Sequence, residues 1–126
     1  GKWLATGSTD ETVHLWNTAT GEWEHECIDH SGKVQSVAFS HDGKWVASGG
    51  TDSKVRMWDT ASGELLGRYI GHSGYVCAVA VSADGKLLVS GGEDKMVWFW
   101  DPATSDYLRK SGGHTEYVSA LAFSAD

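Results

Sequence analysis

Apolar residues along this chain come in short runs, such as Val76-Cys77-Ala78-Val79-Ala80-Val81, Leu87-Leu88-Val89-Ser90 and Val97-Trp98-Phe99-Trp100. These runs have the length and the β-branched and aromatic content of strands, and none continues at the spacing of an amphipathic helix. Asp42-Gly43 and Asp84-Gly85 interrupt the runs as hairpin signals. They predict two-residue turns of the primed type, which need positive φ that only Gly or Asn/Asp accept cheaply. Gly49-Gly50-Thr51-Asp52 and Asp59-Thr60-Ala61-Ser62-Gly63 mark two further turns. The pattern predicts an all-β chain in which each unit has four antiparallel strands: a near residues 75–82, b near 86–91, c near 96–101 and d near 106–111.

The unit recurs. Gly1-Lys2-Trp3-Leu4, Gly43-Lys44-Trp45-Val46 and Gly85-Lys86-Leu87-Leu88 are 42 residues apart, so the 126 residues divide into 1–42, 43–84 and 85–126. Twelve of the 42 positions hold one residue in all three copies, too many for coincidence. They include Gly7/49/91, Asp10/52/94, Val13/55/97, Trp16/58/100, His30/72/114 and Asp42/84/126. A period of this length is the sign of a repeat architecture, in which each unit buries its apolar faces on its neighbours. Sixteen Gly, seven Trp and a single Pro suit short strands, tight turns and packing through large rings.

With 10 Lys+Arg against 17 Asp+Glu, the net charge of −7 has the wrong sign for nucleic acid or an anionic membrane surface. No apolar run is long enough to span a bilayer, and no Lys/Arg-led apolar leader precedes the first unit. The two cysteines, Cys27 and Cys77, are too few for a disulfide-stapled domain and read as small thiols on strands, compatible with a cytoplasmic compartment. His14, His25 and His41 occupy unrelated positions of the repeat, with no partner at ligand spacing, and are expected to face solvent; no metal is predicted. Gly91-Gly92-Glu93-Asp94 puts carboxylates where a phosphate-cradling loop would need none, so no nucleotide or other cofactor is predicted. Ser, His and Asp do recur together, but a catalytic triad occurs once and needs an exposed Ser, whereas this set returns in every unit beside a Trp. No enzyme activity is predicted.

Gly71-His72 followed 28 residues later by Trp100-Asp101, and His30 followed by Trp58-Asp59, resemble the G-H and W-D signature of the WD-repeat β-propeller family. Asp29 stands where that pattern has Gly, Asn17 where it has Asp, and Ser105 where it has a turn Gly. The resemblance implies four-stranded blades with an internal hydrogen-bonded chain of His, Ser/Thr, Asp and Trp. Those residues are His30, Ser48, Asp52 and Trp58 in one blade and His72, Ser90, Asp94 and Trp100 in the next. His114 with Thr6, Asp10 and Trp16 would make the third set. It also implies a top face that binds peptides or protein domains through Lys33, Gln35 and Thr51, then Tyr75, Cys77 and Glu93, then Tyr117, Ser119 and Thr9. Tyr75 and Tyr117 offer the most binding area at the least entropic cost.

The chain opens on the Gly and closes on the Asp of one Asp-Gly turn, so residues 2–28 would form strands b, c and d of a blade without an inner strand, and residues 116–125 an inner strand without a blade. Three blades are too few to close a ring. The expectation is a homo-oligomer in which residues 116–125 of one copy complete the first blade of the next. Three copies with nine blades are preferred to two with six, because six crowds the inner strands. The expected function is a non-catalytic interaction scaffold that self-assembles into a ring. The alternative is an engineered or excised self-assembling propeller with no natural partner.

Overall fold

The short runs form eleven strands and no helix in the computed structural model, which describes residues 1–126. Strands β1 (Trp3–Gly7), β2 (Thr12–Asn17) and β3 (Trp23–Ile28) make a three-stranded antiparallel sheet. A second sheet runs in the order β4 (Val34–Phe39), β5 (Trp45–Gly50), β6 (Lys54–Asp59) and β7 (Leu65–Ile70), and a third in the order β8 (Val76–Val81), β9 (Leu88–Gly92), β10 (Val97–Trp100) and β11 (Tyr107–Ser111). No helix is long and apolar enough to cross a membrane.

The sheets share their irregularities. The first two strands of each four-stranded sheet slip register between Val34 and Ser36 or between Val76 and Ala78. The last two slip at Leu15/Trp16, Met57/Trp58 and Phe99/Trp100, so every repeated Trp sits at a bulge. The hairpins at Asp42-Gly43 and Asp84-Gly85 differ from the two-residue primed turns the sequence predicts. Only the glycines, both at φ 71°, have positive φ, and the turn bond runs from Gly43 N–H to the Ser40 carbonyl (2.9 Å). The reason is the aspartate. Asp42 Oδ1 accepts from Ser40 Oγ (2.7 Å) and from the Lys44 amide (3.0 Å), which holds Asp42 itself at negative φ and lengthens the loop.

The core lies between sheets. Val13, Leu15 and Cys27 of the first sheet pack on Val34, Val46 and Trp58 of the second. Ala47, Val55 and Tyr69 of the second sheet pack on Val76, Val79, Leu88, Trp98 and Trp100 of the third. Only the middle sheet has neighbours on both faces. On the first sheet Leu4 remains 52% exposed, although its counterparts Val46 and Leu88 are at 0%.

Residues 112–126 form no strand. They nonetheless lie against the third sheet as an inner strand lies against the sheet before it. The Val118 N–H donates to the Gly92 carbonyl (3.0 Å), just as Val34 N–H donates to the Ser8 carbonyl (3.0 Å). An inner strand takes its ladder from the second strand of its own sheet, and the second strand without an inner neighbour is β1, at the far end of the array.

A Cβ at Gly49 would sit 2.5 Å from Val76 Cγ1, and one at Gly91 would sit 2.5 Å from Val118 Cγ1. Gly49→Ala must force two packed sheets apart and is expected to cost about 1–3 kcal/mol in a denaturant melt. Gly91→Ala meets only the unladdered terminal segment, and should instead speed amide exchange at Val118 with a smaller change in the melt.

Candidate functional site

Each four-stranded sheet encloses a chain of four polar side chains. In the second sheet the Trp58 indole donates to Ser48 Oγ (2.8 Å), Ser48 Oγ lies 2.7 Å from His30 Nε2, and His30 Nδ1 lies 3.0 Å from Asp52. In the third, Trp100 donates to Ser90 Oγ (2.7 Å), Ser90 Oγ lies 2.7 Å from His72 Nε2, and His72 Nδ1 lies 2.9 Å from Asp94. In the third sheet the indole can only donate and the carboxylate can only accept, so with a neutral ring the hydroxyl donates to Nε2 and Nδ1–H donates to Asp94. In the second, Arg56 Nη1 also lies 2.8 Å from His30 Nδ1, so that nitrogen faces both a guanidinium and a carboxylate. Ser48 and Ser90 are at 0% exposure with their hydroxyls engaged on both sides. A serine so placed cannot reach a substrate carbonyl, despite its triad-like connection to His and Asp.

Burial holds His30 and His72 below the ordinary imidazole value; Arg56 lowers His30 further, and the Asp partners oppose the shift. Burial also pushes Asp52 and Asp94 up, but other groups outweigh it. Asp52 is lowered by the Ser31 amide, His30 and Arg56, and Asp94 by the Met96 amide, His72 and Trp98. The result is a neutral ring beside a charged carboxylate.

Position 56 and its counterparts extend the chain differently in each sheet. Arg56, only 3% exposed, donates from Nη1 to Asp52 (2.7 Å) and from Nε to Asp29 (2.6 Å). Arg68 clamps Asp29 through Nε (2.8 Å) and Nη2 (2.7 Å), and these two guanidinium groups, Arg68 first, hold the Asp29 carboxyl far below its usual range. In the third sheet Trp98 takes that place, donating to Asp94 (3.0 Å), stacking on Trp100 at 5.3 Å and carrying Lys110 Nζ 5.0 Å above its own ring. Sequence reasoning noted Asp29 as a departure but missed its partners. The signal was available, since the one blade whose inner strand is preceded by Asp-His in place of Gly-His is also the one with Arg at this position.

The first sheet holds only part of such a chain. Trp16 donates to Thr6 Oγ1 (2.7 Å), but no imidazole reaches Thr6, and Asp10 turns to Thr12 Oγ1 (2.6 Å) instead. Thr6 is exposed and Trp16 half-buried. His114, at the other end of the array, is exposed and has no side-chain hydrogen bond. The four residues are not brought together within one chain.

Against known families, the model of the WD domain, G-beta repeat, matches residues 1–17, 21–59 and 63–101. The chain belongs to the WD-repeat family. Comparison with curated proteins finds no match. WD-repeat domains are in general non-catalytic interaction modules, and the residues expected to make contacts can be placed. Lys33 and Gln35 are exposed, and the Lys33 amide donates to Thr51 Oγ1 (2.9 Å). Tyr75 is exposed beside half-buried Glu93, whose amide donates to the Tyr75 carbonyl (2.9 Å), and Cys77 is half-buried on β8. Tyr117 and Ser119 lie on the terminal segment and Thr9 in the first sheet, so the third trio is split between the two ends.

One other expectation changes. His14 and His25 face solvent only in part. Both are half-buried, His14 stacked on Trp23 at 4.8 Å and His25 on Trp3 at 6.1 Å, because flat rings fill the edges of this Trp-rich sheet; His41 is exposed. Both cysteines are free, and burial pushes the Cys27 thiol up to about 11, which removes its thiolate at neutral pH.

Trp100→Phe leaves Ser90 short of a donor inside a dry core and is expected to cost about 1–3 kcal/mol by denaturant melt. Trp16→Phe in the unassociated chain should cost clearly less, because water already reaches Thr6. Acid should also act through this network. Unfolded imidazoles take up protons near 6.5 and unfolded carboxylates near 3.8, while the buried ones resist, so the unfolded state binds more protons as pH falls. The denaturation midpoint should be level above about pH 7 and fall steadily below it. A His72→Asn variant should show a shallower fall between about pH 7 and 5.

Proposed function

We propose that the chain is a non-catalytic scaffold for protein or peptide ligands that completes its own propeller with further copies of itself. Residues 116–125 of one copy form the inner strand of the first blade of the next, giving units 1–42, 43–84 and 85–126 with one blade shared between chains. The observation that carries this reading is the divided polar set: Trp16 and Thr6 lack an imidazole, and His114 lacks every partner that His30 and His72 have. Two apolar surfaces support it. Leu4 and Trp23 lie about half exposed on the first sheet. At the other end an apolar cleft of about 190 Å³ opens between Val89, Val97 and Phe99 of the third sheet and Leu121 and Phe123 of the terminal segment.

Head-to-tail contact is heterologous and must close to avoid filaments. Two copies would give six blades with crowded inner strands, and three give nine around a wider channel, so three are preferred. The ligand surface is the side carrying Tyr75 and Tyr117, large exposed rings with little rotamer entropy to lose.

Light scattering over a dilution series tests the assembly. The expected species has two or three times the chain mass of 13.6 kDa. A chain that stays at 13.6 kDa at every concentration overturns self-completion. Asp10→Ala should raise the dissociation midpoint about tenfold, the loss of one charge-assisted bond at the shared blade. Asp52→Ala, inside an intact sheet, should lower the melt instead. For the ligand face, peptides selected on the assembled protein from a displayed random library should lose binding to Tyr75→Ala and Tyr117→Ala. A propeller with no natural partner yields no peptide that depends on either residue.

A further inference from the structure

We infer that the residue before each repeated His and the residue at position 14, 56 or 98 are matched by direct contact, and that Gly113 and His14 are the matched pair by which one copy recognises the next. The second half of this inference rests on the head-to-tail closure proposed above; the first half does not.

His14, Arg56 and Trp98 occupy one place in the three sheets. Each pairs on one side with the repeated hydroxyl residue, Thr6, Ser48 or Ser90, and on the other with Glu26, Arg68 or Lys110. The residue before the repeated His lies over this place, and its identity follows what lies beneath. In the third sheet a Cβ on Gly71 would sit 2.5 Å from Trp98 Cζ3 and 3.0 Å from Trp100 Cη2, so any larger residue collides with the stacked indoles. In the second sheet Asp29 is needed. Arg56 donates Nε to the Asp29 carboxylate and Nη2 to its carbonyl (2.9 Å), and without that carboxylate the buried guanidinium would keep one carboxylate, Asp52, in place of two. An Asp over Trp98 would clash, and a Gly over Arg56 would leave Nε without its carboxylate.

At the open first sheet the place beneath is His14, stacked on Trp23 with Glu26 Oε1 3.4 Å from its Nε2, and Asp10 lies in the turn between β1 and β2, within electrostatic reach of His14. That surface is acidic and carries a flat ring, so it suits a residue with neither charge nor bulk. Gly113 is such a residue, and it precedes the one repeated His that has no partners. A strand bringing Asp before its His would set a third carboxylate beside Glu26 and Asp10. The pair therefore selects for a second copy of this chain over an inner strand of the Asp29 kind, by repulsion as much as by fit.

The test has two arms. In the assembled protein, Gly113→Asp should raise the dissociation midpoint in dilution light scattering by about tenfold or more. Adding His14→Arg and Glu26→Arg, which rebuilds the second sheet's set at the shared blade, should return it to within about threefold of the parent. A Cβ at Gly113 has no neighbour within 4 Å in the single chain, but its φ of 155° strains any side chain, so Gly113→Ala is the control: it should raise the midpoint clearly less than Gly113→Asp, and equal rises overturn selection by charge. If the parent assembles and Gly113→Asp assembles equally well, the recognition pair is wrong. If the parent never assembles, the closure itself is wrong, and the recognition role falls with it. The second arm needs no assembly: Asp29→Gly and Arg56→Trp should each lower the denaturation midpoint, and the double variant should recover most of the loss. Additive losses in that cycle overturn the matching rule within the chain.

Discussion

A sheet that is apolar on both faces cannot be stable alone, and this constraint governs the whole chain. The middle sheet meets it by lying between two others, with Val46, Ala47, Val55 and Trp58 all at 2% exposure or less. The first sheet has the same kind of residues and only one neighbour, which leaves Leu4 and Trp23 about half exposed. The matched family repeats show how the neighbours are tied. Residues 21–59 run from β3 through β4, β5 and β6, so one sequence repeat supplies the last strand of one sheet and the first three of the next. Each covalent unit thus staples two sheets together, and packing between sheets is as local in sequence as pairing within one.

Within that dry interior the polar chain of Trp, Ser, His and Asp has a narrow role. It links the His before the inner strand to the second and third strands, across a distance that backbone bonds alone do not span. Its net contribution is modest, because each bond replaces one to water. Its absence is costly, because Ser48 and Ser90 have no solvent to fall back on. The network is therefore a condition on seating more than a source of stability: an inner strand that enters out of register strands four polar groups at once.

The strands, their order and the repeated polar set were legible in the sequence because a 42-residue period lets three copies vote on each position. Gly49 is Gly in every copy because Val76 fills the space above it, and Trp58 is Trp because its indole is the terminal donor. What escaped the reading lies where copies differ. The hairpins at Asp42-Gly43 were mistaken for primed turns, since the dipeptide does not reveal that Asp42 folds back on Ser40 and Lys44. Arg56 raised no expectation in the sequence. Its burial depends on Asp29, 27 residues away, and on Asp52, and no single-position pattern reports a pair.

Differences between copies then carry a meaning that identities cannot. Identical positions build any blade, so they give no reason for a strand to prefer one blade over another. Affinity at an open edge comes from area, at roughly 25 cal/mol per Å² of apolar surface removed from water. Leu4 and Trp23 on one side, and Val97, Phe99 and Phe123 on the other, would supply it. Such surfaces are sticky toward any similar blade. Discrimination has to come from groups that cost energy in the wrong company, and here those are Asp29, which needs a guanidinium, and Trp98, which tolerates only glycine above it. A repeat protein made of identical blades would keep the first term and lose the second, and its edges would pair without preference for register or partner.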